Sequence, residues 1–120
     1  MKKSGTTHRL MAMAATLAAA LCLLAGCGDA SVGDHSTAVG GSCDYHSDCD
    51  DFCLTDWPGG MCTILCDDDS ACPRDSACID KEHGVCLMEC SADRDCPGGY
   101  ECDDEDRRGH PGKRDVCVED

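Results

Sequence analysis

The sequence predicts a small disulfide-rich fold: three tandem four-cysteine repeats, each closed by a short β-hairpin, with little helix after an N-terminal targeting segment. Three observations carry this. Cysteine supplies 14 of 120 residues, the density of a disulfide scaffold in a short exported chain. Residues 43–120 hold only nine Leu, Ile, Val and Phe side chains (Phe52, Leu54, Ile64, Leu65, Ile79, Val85, Leu87, Val116, Val118), too few to offset the ordering entropy of that length of chain. The cysteines beyond residue 42 recur in similar groups of four. Crosslinks rather than a core are therefore expected to hold the module, each bridge over a loop of about 15 residues contributing roughly 3 kcal/mol.

The first element is residues 1–26. Lys2, Lys3 and Arg9 form a positive flank, and Leu10 to Leu24 form an apolar stretch of 15 residues. That is short of the roughly 20 residues a bilayer-spanning helix needs, but it suits the apolar region of a signal peptide. The stretch ends Leu24-Ala25-Gly26-Cys27, which resembles the lipobox of bacterial lipoproteins. The resemblance implies diacylglycerol on the Cys27 thiol, cleavage between Gly26 and Cys27 by signal peptidase II, and acylation of the new amino terminus. It places the protein on the bacterial cell envelope, with the membrane as a partner through the lipid. By the same resemblance, Gly28 rather than Asp after Cys27 implies sorting to the outer membrane. Cysteine parity agrees: Cys22 leaves with the signal peptide and Cys27 carries lipid, so twelve cysteines remain, an even number for pairing.

Residues 27–42 form the second element. Gly28 to Ser42 is small, polar and aperiodic, which predicts a flexible tether spanning on the order of 20 Å, with His35 as a solvated linker residue.

The three repeats follow as residues 43–65, 66–89 and 90–120. Their cysteines are Cys43, Cys49, Cys53, Cys62, then Cys66, Cys72, Cys78, Cys86, then Cys90, Cys96, Cys102, Cys117; the units start 23 and then 24 residues apart. A self-similar period in this range marks a tandem of small units. In the second repeat Ala77-Cys78-Ile79-Asp80 and Val85-Cys86-Leu87-Met88 flank a Gly-closed turn, a hairpin signature. In the first, Phe52-Cys53-Leu54-Thr55 and Met61-Cys62-Thr63-Ile64 flank Asp56-Trp57-Pro58-Gly59-Gly60. In the third, Tyr100-Glu101-Cys102 and Val116-Cys117-Val118 flank what reads as a long polar loop.

Bridges are expected within repeats, making three beads in series. Each repeat allows three connectivities, hence 27 for the molecule. First-to-third with second-to-fourth, such as Cys66–Cys78 with Cys72–Cys86, is preferred because it ties the leading loop to both strands. The three-residue joints Thr63-Ile64-Leu65 and Leu87-Met88-Glu89 leave bridges between neighbours open as the alternative. The pattern, above all Cys90-x5-Cys96-x5-Cys102-x14-Cys117, resembles the Dickkopf N-terminal cysteine-rich region and the cysteine-rich repeats of myxobacterial-type lipoproteins. The resemblance covers residues 43–117 and implies a fold rather than a role.

All 24 acidic residues lie after residue 27 but only seven of the ten Lys and Arg. So acidic a surface repels nucleic acid, which is set aside as a partner. No Cys-x2-Cys occurs, so zinc, haem and thioredoxin-like chemistry have no motif, and no metal or other cofactor is expected. No nucleophile elbow or His-Glu-x-x-His occurs, and His46, His83 and His110 fall in separate loops, so no enzyme is read. The leading expectation is a lipid-anchored module in binding or structural contact with a protein or glycan ligand.

Two alternatives are kept. Arg107, Arg108, Lys113 and Arg114 form a basic island in the loop 107–114, the kind of loop on which a protease inhibitor presents a scissile bond. Closely spaced carboxylates (Asp48/Asp50/Asp51, Asp67 to Asp69, Asp93/Asp95, Asp103 to Asp106) offer calcium ligands for an adhesion module, against a solvated acidic face. Trp57 reads equally as a contact residue or as the cap of a small cluster.

Overall fold

The computed structural model describes residues 31–120. The expected signal segment 1–26 with Gly26, the expected lipidation position Cys27 and the first residues of the expected tether lie outside the described residues. Among the described residues no helix is long and apolar enough to cross a membrane.

Three antiparallel hairpins form the frame. In the first, β1 (Phe52–Leu54) pairs with β2 (Met61–Thr63). In the second, β3 (Ser76–Ile79) pairs with β4 (Val85–Met88). In the third, β5 (Tyr100–Asp106) pairs with β6 (Lys113–Glu119). Each hairpin sets its third cysteine opposite its fourth: Cys53 faces Cys62, Cys78 faces Cys86, and Cys102 faces Cys117. These facing residues do not bond to each other. They receive the two cysteines of the leading loop, giving Cys43–Cys53 and Cys49–Cys62, Cys66–Cys78 and Cys72–Cys86, Cys90–Cys102 and Cys96–Cys117. All six bridges stay within repeats in the first-to-third, second-to-fourth order. Their Cα separations of 5.4 to 6.1 Å fall in the ordinary disulfide range.

The repeats are nevertheless not independent beads. One buried cluster takes Leu54, Trp57 and Met61 from the first repeat, Ala77, Ile79, Val85 and Leu87 from the second, and Tyr100, Val116 and Val118 from the third. No repeat has enough apolar surface to enclose a core alone, and stacking lets all three share one. Backbone bonds cross the joints as well: Cys86 N–H donates to Ile64 O (3.0 Å), Asp80 N–H to Asp106 O (2.8 Å) and Arg108 N–H to Cys78 O (3.0 Å). Trp57 is the cap of this cluster rather than a contact residue, being 4% exposed. Its ring lies 6.1 Å from that of Tyr100, whose hydroxyl donates to Pro58 O at 2.8 Å. Burial, with the nearby Glu119 carboxylate second, pushes the Tyr100 phenol up to about 12.

Two other expectations are corrected. The long polar loop of the third repeat is mostly ladder, because β5 and β6 run seven residues each. Beyond Val116, towards the turn, no residue of either strand is buried, so no apolar alternation marks these ends; the facing pair Asp106 and Lys113 closes the ladder at the turn. Residues 31–42 of the expected tether also pack onto the repeats. Ala38 and Val39 are buried, and Val39 packs among Cys66, Cys78, Cys86, Met88 and Cys117. Gly40 N–H donates to Cys62 O (2.9 Å), Cys62 N–H to Gly41 O (2.7 Å) and Asp50 N–H to Thr37 O (2.8 Å). The bond from Cys62 to Gly41 repeats the one from Cys86 to Ile64 one unit on. This strap therefore supplies to the first repeat the edge that the first repeat supplies to the second, the role of a terminal cap in a repeat array.

Candidate functional site

The five residues between the first two cysteines of each repeat turn once as a 3-10 segment: His46–Asp48, Asp69–Ala71 and Asp93–Asp95. The first residue of each turn accepts the N–H of the third cysteine. Cys53 donates to His46 Nδ1 (3.0 Å), Cys78 to Asp69 Oδ1 (2.9 Å) and Cys102 to Asp93 Oδ1 (2.9 Å). Asp48 accepts from Asp44 and Tyr45 N–H, and Asp95 from Ser91 and Ala92 N–H. These backbone donors hold both carboxyls below their usual range. Asp68 is lowered likewise, first by the Ser70 hydroxyl and then by its N–H. Much of the acidic clustering thus serves local backbone donors. The only convergent groups of three metal-ligand atoms among the described residues are cysteine sulfurs, every one in a disulfide. The calcium reading gains no support from this arrangement.

The second repeat departs from its neighbours at Ala71, which occupies the place of Asp48 and Asp95. Ala71→Asp is expected to offer acceptors to Asp67 and Asp68 N–H and to raise the urea midpoint of the oxidised protein; an unchanged or lower midpoint would contradict the equivalence.

The basic island turns inward. Arg107, whose side chain is 16% exposed, pairs with Asp69, and His110 Nε2 lies 3.8 Å from the same carboxylate. Arg108 reaches Asp80 (3.1 Å) and Asp67 (3.5 Å), Arg114 reaches Glu89 (2.6 Å), and Lys113 reaches Asp106 (3.2 Å). The three arginines fasten the third repeat to the second. An inhibitor needs its basic side chain free to enter a protease pocket, and Arg107 is committed within the fold.

Asp69 is central to that fastening. Burial pushes its carboxyl up, but the Cys78 N–H and the Arg107 guanidinium outweigh this and leave it below its ordinary value. Asp69→Ala should cost about 2 to 3 kcal/mol, because it removes charge-assisted bonds and leaves the largely buried Arg107 without its partner. A depressed folded pKa means the contribution is complete above the unfolded value of about 3.9 and is lost as pH falls through the folded one. Urea titrations from pH 6 down to pH 2 should show the wild type losing more stability than Asp69→Ala; equal losses would place the acid sensitivity elsewhere.

A different feature meets solvent at the junction of the first two repeats. A groove of about 650 Å³ is lined by Phe52, Leu54, Leu65, Cys66, Asp67, Asp68, Ser70, Ala71, Glu82 and His83. A smaller one of about 180 Å³, lined by His46 and Cys53 through Trp57 with Glu82, shares Phe52, Leu54 and Glu82 with it. Strand β1 supplies the floor. Leu65, from the joint after β2, joins it, its N–H donating to Asp51 Oδ2 (2.9 Å). The β3–β4 turn brings Glu82 and His83, both at positive φ (50° and 70°). Of the residues that the sequence marks as candidates, His83 and Asp67/Asp68 meet here, whereas His110 lies at Asp69 and the twelve repeat cysteines are all in bridges. Phe52, Leu54, Leu65 and Glu82 belong to no motif that would mark them as site residues. The signal that could have found Leu65 is its place as an aliphatic side chain in a short joint between two cysteines. Compared with known proteins, the chain matches no family model, no curated protein and no solved structure.

Proposed function

We propose that the chain is a lipid-anchored protein of the bacterial outer membrane, whose disulfide-braced module binds a partner through the groove between its first and second repeats. One observation carries the binding half. In a module with nine aliphatic or Phe side chains, six are buried, and two of the remaining three, Phe52 and Leu65, line this groove. Leu65 is 48% exposed. An apolar side chain left in water beside a concave surface marks a contact site more strongly than scattered exposure does.

The anchoring half rests on Leu24-Ala25-Gly26-Cys27. With residue 31 already seated on the module, the four steps from Cys27 reach at most about 14 Å. The module then stands close to the membrane, its repeats stacked above a short leash. Intact mass should show a chain beginning at Cys27 with thioether-linked diacylglycerol, abolished by Cys27→Ser. A photo-crosslinking residue at position 65 should give a discrete adduct in intact cells, and one at position 104 should not. An unmodified chain cut elsewhere would overturn the anchoring, and no adduct from position 65 would overturn the groove.

A further inference from the structure

We infer that the groove receives a lysine or arginine side chain, flanked by an apolar residue, from an extended segment of a partner protein. This deepens the proposed function and rests on it. The floor is apolar, formed by Phe52, Leu54 and Leu65, while the rim carries the carboxylates of Asp67, Asp68 and Glu82. The Ser70 hydroxyl and N–H both donate to Asp68 and hold its carboxyl below its ordinary value. Glu82 is exposed on a turn and makes no ion pair among the described residues. An apolar floor under a negative rim is complementary to a side chain with an alkyl stem and a cationic head. The chain's own guanidiniums do not fill it: Arg107 is held by Asp69, and Arg108 reaches Asp67 from the β5–β6 turn while also bonding Asp80. The groove is open rather than enclosed and continues past Phe52 into the smaller depression beside Trp57, a shape that takes an extended chain more readily than a compact small molecule.

The test uses the exported protein in a neutral detergent and the peptide acetyl-Leu-Lys-Leu-amide, followed by amide shifts in nitrogen-15 spectra. Two control peptides replace Lys by norleucine, which keeps the stem without charge, or by Glu. The lysine peptide should move the Leu65, Ala71 and His83 amides saturably and bind at least tenfold more tightly than either control. Glu82→Gln and Leu65→Ser should each weaken it at least threefold, and both sit at exposed positions where the fold tolerates them. Equal binding of the norleucine peptide, shifts elsewhere or none, or self-association of the protein through these same amides would overturn the cationic assignment. An adduct from position 65 together with a silent lysine peptide would overturn this assignment while leaving the binding role intact.

Discussion

Gly60→Ala should fail to reach the native disulfide set, whereas Gly59→Ala beside it should fold. The two glycines have nearly the same backbone, with φ of 71° and 68°, so both substitutions carry the left-handed cost of about 1 kcal/mol. They differ in space. A Cβ on Gly60 would lie 1.8 Å from the carbonyl oxygen of Cys43 and 3.1 Å from its sulfur, while one on Gly59 meets nothing within 4 Å. Cys43 is held by its bridge to Cys53 and by its N–H bond to Gly59 O, so it cannot move away without opening the first repeat. A loss of well over about 3 kcal/mol is expected for Gly60→Ala, since strain and overpacking act together. Refolding yield in a glutathione buffer, with peptide mapping of the bridges, separates the two variants. Native pairing in Gly60→Ala at wild-type yield would show that the turn can relax, and the steric account would be wrong.

Val39→Asp is the second large expected effect, and it distinguishes a strap from a tether. Val39 is fully buried among sulfurs of the second and third repeats and Met88, so a carboxylate there has no water and no cation to pair with. Burying it would cost several kcal/mol, more than the strap's few backbone bonds can oppose. The strap should therefore detach while the six bridges persist. Hydrogen exchange should then speed at Gly40, Asp50 and Cys62, whose N–H groups bond across the strap. A protease should cut within 31–42 and leave the disulfide module whole. Unchanged exchange would return this segment to the status of a linker.

That segment shows how far the residues alone lead. Ser, Gly and Ala without periodicity read as flexible, but glycine signals close approach as readily as freedom. A Cβ on Gly40 would sit 2.5 Å from Gly33 O, and one on Gly41 2.2 Å from Ser36 O. Nothing in the composition tells these two uses apart, because what holds the segment in place, Cys62 and the sulfurs around Val39, belongs to residues distant in the chain.

What the sequence determined by itself was local, though not all that is local: the length of the third hairpin escaped it. Cysteine parity, the repeat phasing and the hairpin positions follow from short separations and turns closed by Gly; pairing within repeats was the preferred reading beside bridges between neighbours, and the structure places all six within repeats, spanning 10 to 21 residues. The tertiary structure alone decided which repeats share a core, that Trp57 is enclosed by it, that carboxylates such as Asp51, Asp69 and Asp93 accept backbone N–H groups, and that Arg107, Arg108 and Arg114 fasten one repeat to the next. Those outcomes depend on pairs such as Asp69 with Arg107, 38 residues apart, and Tyr100 with Pro58, 42 apart. No periodicity links such partners. Their meeting is fixed by the stacking of three hairpins that are each too poor in apolar surface to stand alone, and the same stacking leaves Leu65 at the edge of a groove instead of inside the core.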